Sequence, residues 1–387
     1  MDPAKPSLEL LRSLTDEHVL RALMQHRRLT RAELATATGI SKPTVGESVR
    51  RLTETGSVVD TGERTPGGRG RGRVGSYYAL AGDIGVALAV SIAPEGVVAE
   101  CVDAYGDPVS RADRALNRPA RPDDVAAALR AAAADARRSC ERTPRLAVVS
   151  AADPVDRHTG RLIQLPDAPF LLGELDPIEA LAAYVDGPVT VDNDVNWAAR
   201  AERAHAGVAD DFAYLFLDEG LGCAIVSDGA VRGGHAGLAG EVSHLVTAGP
   251  QGQAIRLIEV FGELGLRQPG STAIDVDRLL AAATGSGPRA TATRHALGQA
   301  VSGVVAALVA LADPQLIIVG GSWGSHPVIL KAIVTAAARL PRHAPIRAAE
   351  LTTEPSLAGA RHEALARLRS TIIATAHDAP SPAPALP

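Results

Sequence analysis

The sequence predicts an α/β protein preceded by a small winged helix-turn-helix domain, and three observations support this. In residues 82–375, apolar strand-like runs alternate with helical patterns, as in an α/β fold. Residues 30–52 contain two capped helices separated by a short turn. Residues 1–81 carry 13 basic and 9 acidic residues, whereas the remainder carries 26 and 35. A basic head on an acidic body indicates that the head contacts an anionic partner.

Composition narrows the class of protein. At 387 residues and 46% hydrophobic content, the chain is long enough for two or three domains with large cores. The three cysteines are widely spaced and form no CxxC pair, which argues against a disulfide framework and a cysteine-based zinc site. We find neither a signal peptide nor an apolar run long enough to span a bilayer. We therefore expect a cytoplasmic protein without membrane contact.

The head carries local signals for each helix terminus. Thr30 followed by Glu33 is typical of a capping box. Gly39 lies in the turn, where a positive φ is expected. Ser41 is positioned to cap the next helix, and Pro43 falls in its first turn, where proline is tolerated. These signals predict the helix-turn-helix arrangement.

A wing is predicted after the second helix, from a strand at 57–60, a basic loop and a strand at 77–80. We expect the second helix to enter a major groove, and the Gly/Arg loop to lie in a minor groove. The alternative is a three-helix packing unit with a solvated face and a flexible linker. The predicted DNA-binding residues are Lys42, Thr44, Glu47, Ser48 and Arg51 on the helix, and Arg69, Arg71 and Arg73 in the loop.

The body is predicted to alternate strands with helices. We divide the chain into a head (1–81), an effector domain (82–375) and a disordered tail (376–387). Helices are expected at 122–138, 178–184, 195–205, 256–265, 276–283, 291–311 and 360–375, buried strands at 146–150 and 314–319, and a further strand at 188–191.

Polar residues follow two of the predicted strands. Asn193 and Asp194 come at the end of the strand at 188–191, where α/β proteins place binding residues. The stretch 217–244 begins as strand, glycine turn and strand. Such a turn can hold a phosphate, but here two carboxylates occupy its entrance. Glu241 and His244 would share a face if helical, which suits sugar hydroxyls or a metal.

Structural roles are the alternatives for these residues. Asp194 could cap the helix that follows it. His244 could be a core histidine hydrogen-bonded to Glu241, and Asn193 could fill a turn.

Five stretches in order resemble the ROK family of repressors, open reading frames and sugar kinases: GDIGVALAV, AADPVD, VTVDNDVNWAARAE, LDEGLGCAIVSDGAVRGGHAGLAGEVSHL and ADPQLIIVGGSWG. The head is similar to that of the family's winged helix-turn-helix repressors. The resemblance covers nearly the whole chain. It implies the actin-like (ribonuclease H-like) sugar-kinase fold, with two α/β lobes around a cleft.

The resemblance also implies roles for individual residues. In the family's kinases, an Asn and an Asp at the strand end bind sugar hydroxyls, and the Asp is the general base; Asn193 and Asp194 match them. The Glu and His of the family's GExGH motif match Glu241 and His244, and a further sugar-binding Glu matches Glu259. Carboxylate, amide and imidazole groups are those expected around sugar hydroxyls.

Other positions depart from the family pattern. The first phosphate loop, placed at Asp83–Ala87, lacks the family's glycine pair and threonine, and Asp218 and Glu219 replace Gly and Thr in the second. Two carboxylates would repel a triphosphate. The family's zinc-binding cysteines are missing after His244. We therefore expect no ATP, no metal, no other cofactor and no catalytic residues. Asp153, Gln164 and Ser243 also depart from the pattern and leave the sugar's identity open.

The resulting hypothesis is a transcriptional regulator, and specifically a repressor, that forms a homodimer or a dimer of dimers. It would bind a double-stranded DNA operator and sense a sugar or sugar derivative. Ligand closing the cleft would change the relation between two DNA-binding heads and lower DNA affinity. Two alternatives are an active sugar kinase with a DNA-binding head and a ligand-independent DNA-binding dimer.

Overall fold

The computed structural model describes residues 8–65, 74–165, 169–207 and 209–378. Arg69, Arg71, Arg73 and the tail beyond residue 378 lie outside these ranges. The helices are α1 (Leu8–His26), α2 (Arg31–Thr38), α3 (Lys42–Glu54), α4 (Pro122–Cys140), α5 (Pro177–Leu181), α6 (Asp194–Ala206), α7 (Leu257–Glu263), α8 (Val276–Thr284), α9 (Pro288–Ala312), α10 (Pro327–Ala337) and α11 (Pro355–Asp378).

The strands are short and lie in four sheets within these ranges. They are β1 (Arg28–Thr30), β2 (Val58–Arg64), β3 (Ser76–Leu80), β4 (Val86–Ala93), β5 (Gly96–Asp103), β6 (Pro108–Ala115), β7 (Ala147–Ala151), β8 (Val189–Asn193), β9 (Phe212–Leu217), β10 (Leu221–Ser227), β11 (Ala230–Val231), β12 (Val246–Ala248), β13 (Ala254–Arg256), β14 (Leu316–Gly320) and β15 (Ile346–Ala348).

The head is a winged helix-turn-helix domain, as predicted. The Thr30 hydroxyl accepts the Glu33 N–H at 3.2 Å, and the Glu33 carboxylate accepts the Thr30 N–H at 2.8 Å, which closes the capping box of α2. Gly39 ends α2 with a φ of 71°, and the Ser41 side chain caps α3. The wing strands β2 and β3 are joined by β1 in an antiparallel sheet of order β1-β3-β2. Strand β1 was not foreseen from the sequence.

The body consists of two lobes with the same sheet topology. The first sheet has the order β6-β5-β4-β7-β8 and the second β11-β10-β9-β14-β15. In each, three antiparallel strands formed by consecutive hairpins are followed by two parallel strands. This repeat confirms the actin-like fold. Helices α4 and α11 cover the first sheet, and α7, α9 and α10 belong to the core of the second lobe.

A continuous apolar cluster joins the head to the first lobe. It includes Val19 and Leu23 of α1, Val102 of β5, and Leu368 and Ile372 of α11, all at most 2% exposed. The head is therefore packed against the body and is not merely tethered to it.

Several element boundaries differ from the sequence predictions. Helix α11 extends from Pro355 to Asp378, so residues 376–378 belong to it and not to a tail. Helix α5 ends at Leu181, earlier than predicted. Helix α10 and the short strands β12, β13 and β15 were not foreseen. Among the described residues, α9 is long and apolar enough to cross a bilayer, contrary to the sequence expectation, and more than half of its apolar stretch is buried in the protein.

Candidate functional site

The outer face of α3 carries part of the predicted DNA-binding set. Lys42, Thr44 and Glu47 are exposed, as a recognition helix requires. Arg50, which was not among the predicted DNA-binding residues, is also exposed and pairs with Glu47 and Glu54. Its spacing of three residues from Glu47 is the signal that could have placed both on one face.

Ser48 and Arg51 point inward, contrary to the prediction. Ser48 is completely buried, and its hydroxyl donates to the carboxylate of Asp16 on α1. The Arg51 guanidinium donates to the same carboxylate at 2.7 Å. Both residues lie on the face of α3 that packs against α1, so they hold the head together.

A cavity of about 1180 Å³ lies between the two lobes. Four of the five predicted sugar-binding residues line it: Asn193, Asp194, Glu241 and His244. The walls also include the β4–β5 hairpin, the β9–β10 hairpin and the loop after β14. The cleft is therefore the candidate ligand site, and it joins residues far apart in the sequence.

Asn193 and Asp194 lie where β8 gives way to α6. The Asn193 side-chain oxygen accepts the Val195 N–H at 3.0 Å, so Asn193 is the helix cap that the sequence alternative assigned to Asp194. The Asn193 amide donates to the backbone oxygens of Ala151 and Asp153. Asp194 is the first residue of α6, and its carboxylate accepts the same Val195 N–H at 2.8 Å.

Glu241 precedes a single 3-10 turn, Val242–His244, which ends at His244 and does not continue into an α-helix. Gly240 ties this turn to β10, because its carbonyl accepts the Cys223 N–H at 2.9 Å. At φ 103°, a Cβ on Gly240 would lie 1.7 Å from the Cys223 carbonyl oxygen, so only glycine fits. His244 Nδ1 lies 3.5 Å from a guanidinium nitrogen of Arg256.

Glu259 lies outside the cleft, contrary to the prediction. Its carboxylate accepts hydrogen bonds from the Arg256 backbone N–H at 2.9 Å and from the Arg256 guanidinium at 2.7 and 3.1 Å. It therefore closes the N-terminus of α7 and reaches the cleft only through Arg256, which contacts His244.

Asp153 joins Asp194 and Glu241 in the cleft. Burial, together with the charges of Asp194 and Glu241, raises the pKa of Asp153 to about 7. Burial raises the pKa of Asp194 to about 7, with smaller effects from Glu241 and Glu95, and it raises the pKa of Glu241 to about 7. From the sequence, Asp153 was expected only as a departure from the family pattern, and it was not among the predicted sugar-binding residues.

The second phosphate loop is filled by the chain's own side chains. A carboxylate oxygen of Asp218 accepts the Ser322 N–H at 2.7 Å and the Ser322 hydroxyl at 2.6 Å. The Glu219 carboxylate accepts hydrogen bonds from Arg118 at 2.7 and 2.9 Å. The groups that would hold an anion here already hold carboxylates.

The first phosphate loop was placed wrongly. Asp83–Ala87 lies at the start of β4 and does not line the cleft. The hairpin at residues 93–96, which joins β4 to β5, does line it. This hairpin is the counterpart of the β9–β10 turn, because each joins the first two strands of its sheet. It contains Pro94, which has no N–H to donate, and Glu95, so it suits a phosphate no better.

Residues 99–256 match the family model described as ROK family, and residues 12–58 match the model described as winged helix-turn-helix DNA-binding. A bifunctional NanE/NanK enzyme of Brucella melitensis is 32% identical over 148 residues, which are 37% of this chain and 28% of that enzyme. The chain thus spans less than a third of that relative's length.

Among the solved structures that share the fold are two ROK proteins. One is a ROK family transcriptional regulator, a homolog of the E. coli MLC protein, with a TM-score of 0.63, 18% identity, and coverage of 94% of this chain and 99% of that one. The other is a ROK family glucokinase from Streptomyces griseus, solved with glucose and AMPPNP, with a TM-score of 0.55, 25% identity, and coverage of 72% and 99%. The chain therefore carries a ROK family domain behind a winged helix-turn-helix DNA-binding domain.

Proposed function

We propose that the protein is a DNA-binding transcriptional regulator, acting as a repressor, whose ROK domain binds a sugar or sugar derivative without phosphorylating it. The observation that carries the proposal is the contrast within one cleft. Four residues suited to sugar hydroxyls line it, whereas the loops that should receive phosphates hold carboxylates.

The cost of placing a nucleotide there supports the absence of kinase activity. A phosphate beside Asp218 would have to displace its bonds to Ser322 and then approach a like charge. Two like unit charges 4 Å apart repel by about 1 kcal/mol in bulk water and by about 4 kcal/mol at the effective dielectric near a protein surface. Glu95 of the β4–β5 hairpin adds a further carboxylate to the lining of the cleft. ATP binding is therefore disfavoured at both loops.

Two elements connect the cleft with the head, which supports a regulatory role for ligand binding. Strand β5 begins at the cleft and ends at the turn 103–107, where Asp107 pairs with Arg27 of the head at 2.5 and 2.7 Å. Helix α11 begins at the cleft, and Arg369 near its other end donates to the backbone oxygen of Ala104 at 2.9 Å. A change in cleft closure would be transmitted to the head through strand β5 and helix α11.

An active sugar kinase is the second candidate. Asp194 is retained at the position of the general base, and its pKa of about 7 suits that role. The likeness to a glucokinase also favours it. The measurement that separates the candidates is ADP formation by the full chain with ATP-Mg and a panel of hexoses. We expect none above a no-sugar blank, and sugar-dependent turnover would establish the kinase.

A thermal-shift screen with the same sugars tests ligand binding. We expect at least one sugar to raise Tm, and Asp194→Ala and Glu241→Ala to abolish that shift. Glu259→Ala is the matched control, because it removes a nearby carboxylate outside the cleft. A shift that survives in the first two variants would place the ligand elsewhere, and no shift with any sugar would favour the ligand-independent DNA-binding dimer.

A further inference from the structure

Three carboxyl groups line the cleft and Asp153 is affected by the charges of the other two: Asp153 after β7, Asp194 at the start of α6, and Glu241 before the 3-10 turn. Asp153 is only 2% exposed. One of its carboxylate oxygens, Oδ2, is buried without any hydrogen-bond partner in the structure. A buried carboxylate oxygen without a donor is costly, so this atom indicates a missing donor.

The cleft itself offers little positive charge to these groups. Eight acidic residues and three arginines are found among the residues that line its described part. None of these ion pairs involves Asp153, Asp194 or Glu241: Arg111 pairs with Glu100 and Glu354, Arg114 with Asp135, and Arg118 with Glu219. The charge of these three carboxyl groups is therefore left for a ligand to neutralise.

We infer that the ligand is a sugar bearing a positively charged amine, held with its ammonium group beside Asp153. This inference rests on the proposed function, namely that the cleft binds a sugar. An ammonium group supplies up to three donors and a compensating charge, which together meet the need of Asp153 Oδ2. Asn193, Asp194, Glu241 and His244 remain for the hydroxyls.

Two other ligand classes fit less well. A sugar phosphate would add negative charge to a cleft that is already acidic. Regarding metal ions, no three Asp, Glu, His or Cys side chains in the described ranges are placed to share one. The positive charge is therefore assigned to an organic ligand.

Proton release on ligand binding is a second quantity that can be measured. The raised pKa values of Asp153, Asp194 and Glu241 mean that these groups hold protons near neutral pH. Glu95 adds to the negative potential at Asp194, and an entering ammonium group would favour the ionised forms. Binding of an amine should release protons, whereas binding of a neutral sugar should not.

The experiment is calorimetric titration of the full chain at pH 6.5, below the pKa of about 7 of the three carboxyl groups, in two buffers of different ionisation enthalpy. The probes are D-glucosamine, D-mannosamine and 6-amino-6-deoxy-D-glucose, each beside its parent hexose and, for the first two, its N-acetyl derivative. We expect at least one amine to bind about tenfold or more tightly than its neutral counterparts, with proton release. Asp153→Asn should remove most of this preference. Asp153→Gly should do the same, and it serves as a second variant because it has no side-chain amide that could make new contacts.

Asp113→Asn is the matched control, because it removes a charge from the exposed rim of the same cleft and should keep the preference. Neutral sugars binding as tightly as the amines, or a preference that persists in both Asp153 variants, would overturn the inference and leave the proposed function standing. A lack of binding by every probe would contradict both. A thermal shift with CaCl2 or MgCl2 that equals the effect of the amine would assign the site to a metal.

Discussion

Single carboxylates determine how the second phosphate loop and the cleft differ from the family pattern and how the head is assembled. Asp218 accepts hydrogen bonds from Ser322 within the second phosphate loop, and Asp153 adds a buried carboxyl group to the cleft. In the head, Asp16 binds both Ser48 and Arg51. Each of these effects depends on the surroundings of the residue, so each can be tested by one substitution.

Replacing Arg51 should damage the fold of the head and not the DNA contact itself. Arg51→Ala leaves the largely buried Asp16 without its cation, which we expect to cost about 2 kcal/mol of unfolding free energy. Lys42→Ala, on the exposed face, should leave Tm within about 2 °C but reduce the salt dependence of DNA binding by about one unit of log-log slope. Urea denaturation and DNA titrations at several salt concentrations check both. Equal stability of Arg51→Ala and wild type would contradict the inward assignment.

The buried Asp153 should make stability depend on pH. Its pKa of about 7 in the folded protein lies above the value of about 4 in an unfolded chain. Between these values the native state holds a proton that the unfolded state has lost, so its contribution to stability falls as pH rises from 4 to 7. Asp153→Asn should stabilise the protein by about 2 kcal/mol at pH 8 and much less at pH 5.

Denaturation of both proteins at the two pH values measures this difference. The variant is compared with wild type at each pH, which removes the titration of other groups. A stability difference that does not change with pH would show that Asp153 is ionised throughout.

The sequence was sufficient to predict an element where the contacts that determine it are local. Thr30 with Glu33, Gly39 and Ser41 fix the termini of α2 and α3 through neighbours no more than three residues away. It was not sufficient for Ser48, because the orientation of that side chain depends on Asp16, 32 residues earlier. Glu259 was assigned to the cleft from the family resemblance alone, although its partner Arg256 lies only three residues earlier.

At the scale of elements, β5 and α11 are the connections between cleft and head. The sequence did not predict these connections, because strand pairing decides which turn faces the cleft. The motif at 82–90 matched the family, yet the pairing of β4 with β5 places residues 93–96 at the site. Helix α11 was predicted too short to show that its first residues reach the cleft.

Removing Arg369 should weaken the coupling between ligand and DNA. Its guanidinium donates to the Ala104 and Tyr105 oxygens of the β5–β6 turn and lies 3.5 Å from the Met24 oxygen of the head. In Arg369→Ala we expect sugar affinity and ligand-free DNA affinity to stay within about threefold of wild type, while the effect of sugar on DNA affinity falls by about tenfold.

Arg367→Ala is the control for this experiment. Arg367 lies on the same helix but pairs with Glu363 and Thr190 within the body. Fluorescence anisotropy with labelled DNA measures both variants. An unchanged sugar effect in Arg369→Ala would exclude this route of coupling.

At the scale of the whole molecule, the lobes form a kinase-like cleft that is attached to a DNA-binding head by a continuous core. This arrangement suits a sensor, because closure of the lobes need only favour one orientation of the head. A coupling of about 1 to 3 kcal/mol is enough to change DNA affinity severalfold or more.

The most direct test is DNA affinity with and without sugar in a buffer that contains no nucleotide. The DNA is a duplex selected from a random library by the full chain, and the sugar is the one that gives the largest thermal shift. We predict that saturating sugar raises the Kd for DNA by about tenfold or more, and that Glu241→Ala removes the effect. An unchanged Kd, or a change that requires ATP, would contradict the proposal that this ROK domain is a sugar sensor without kinase activity.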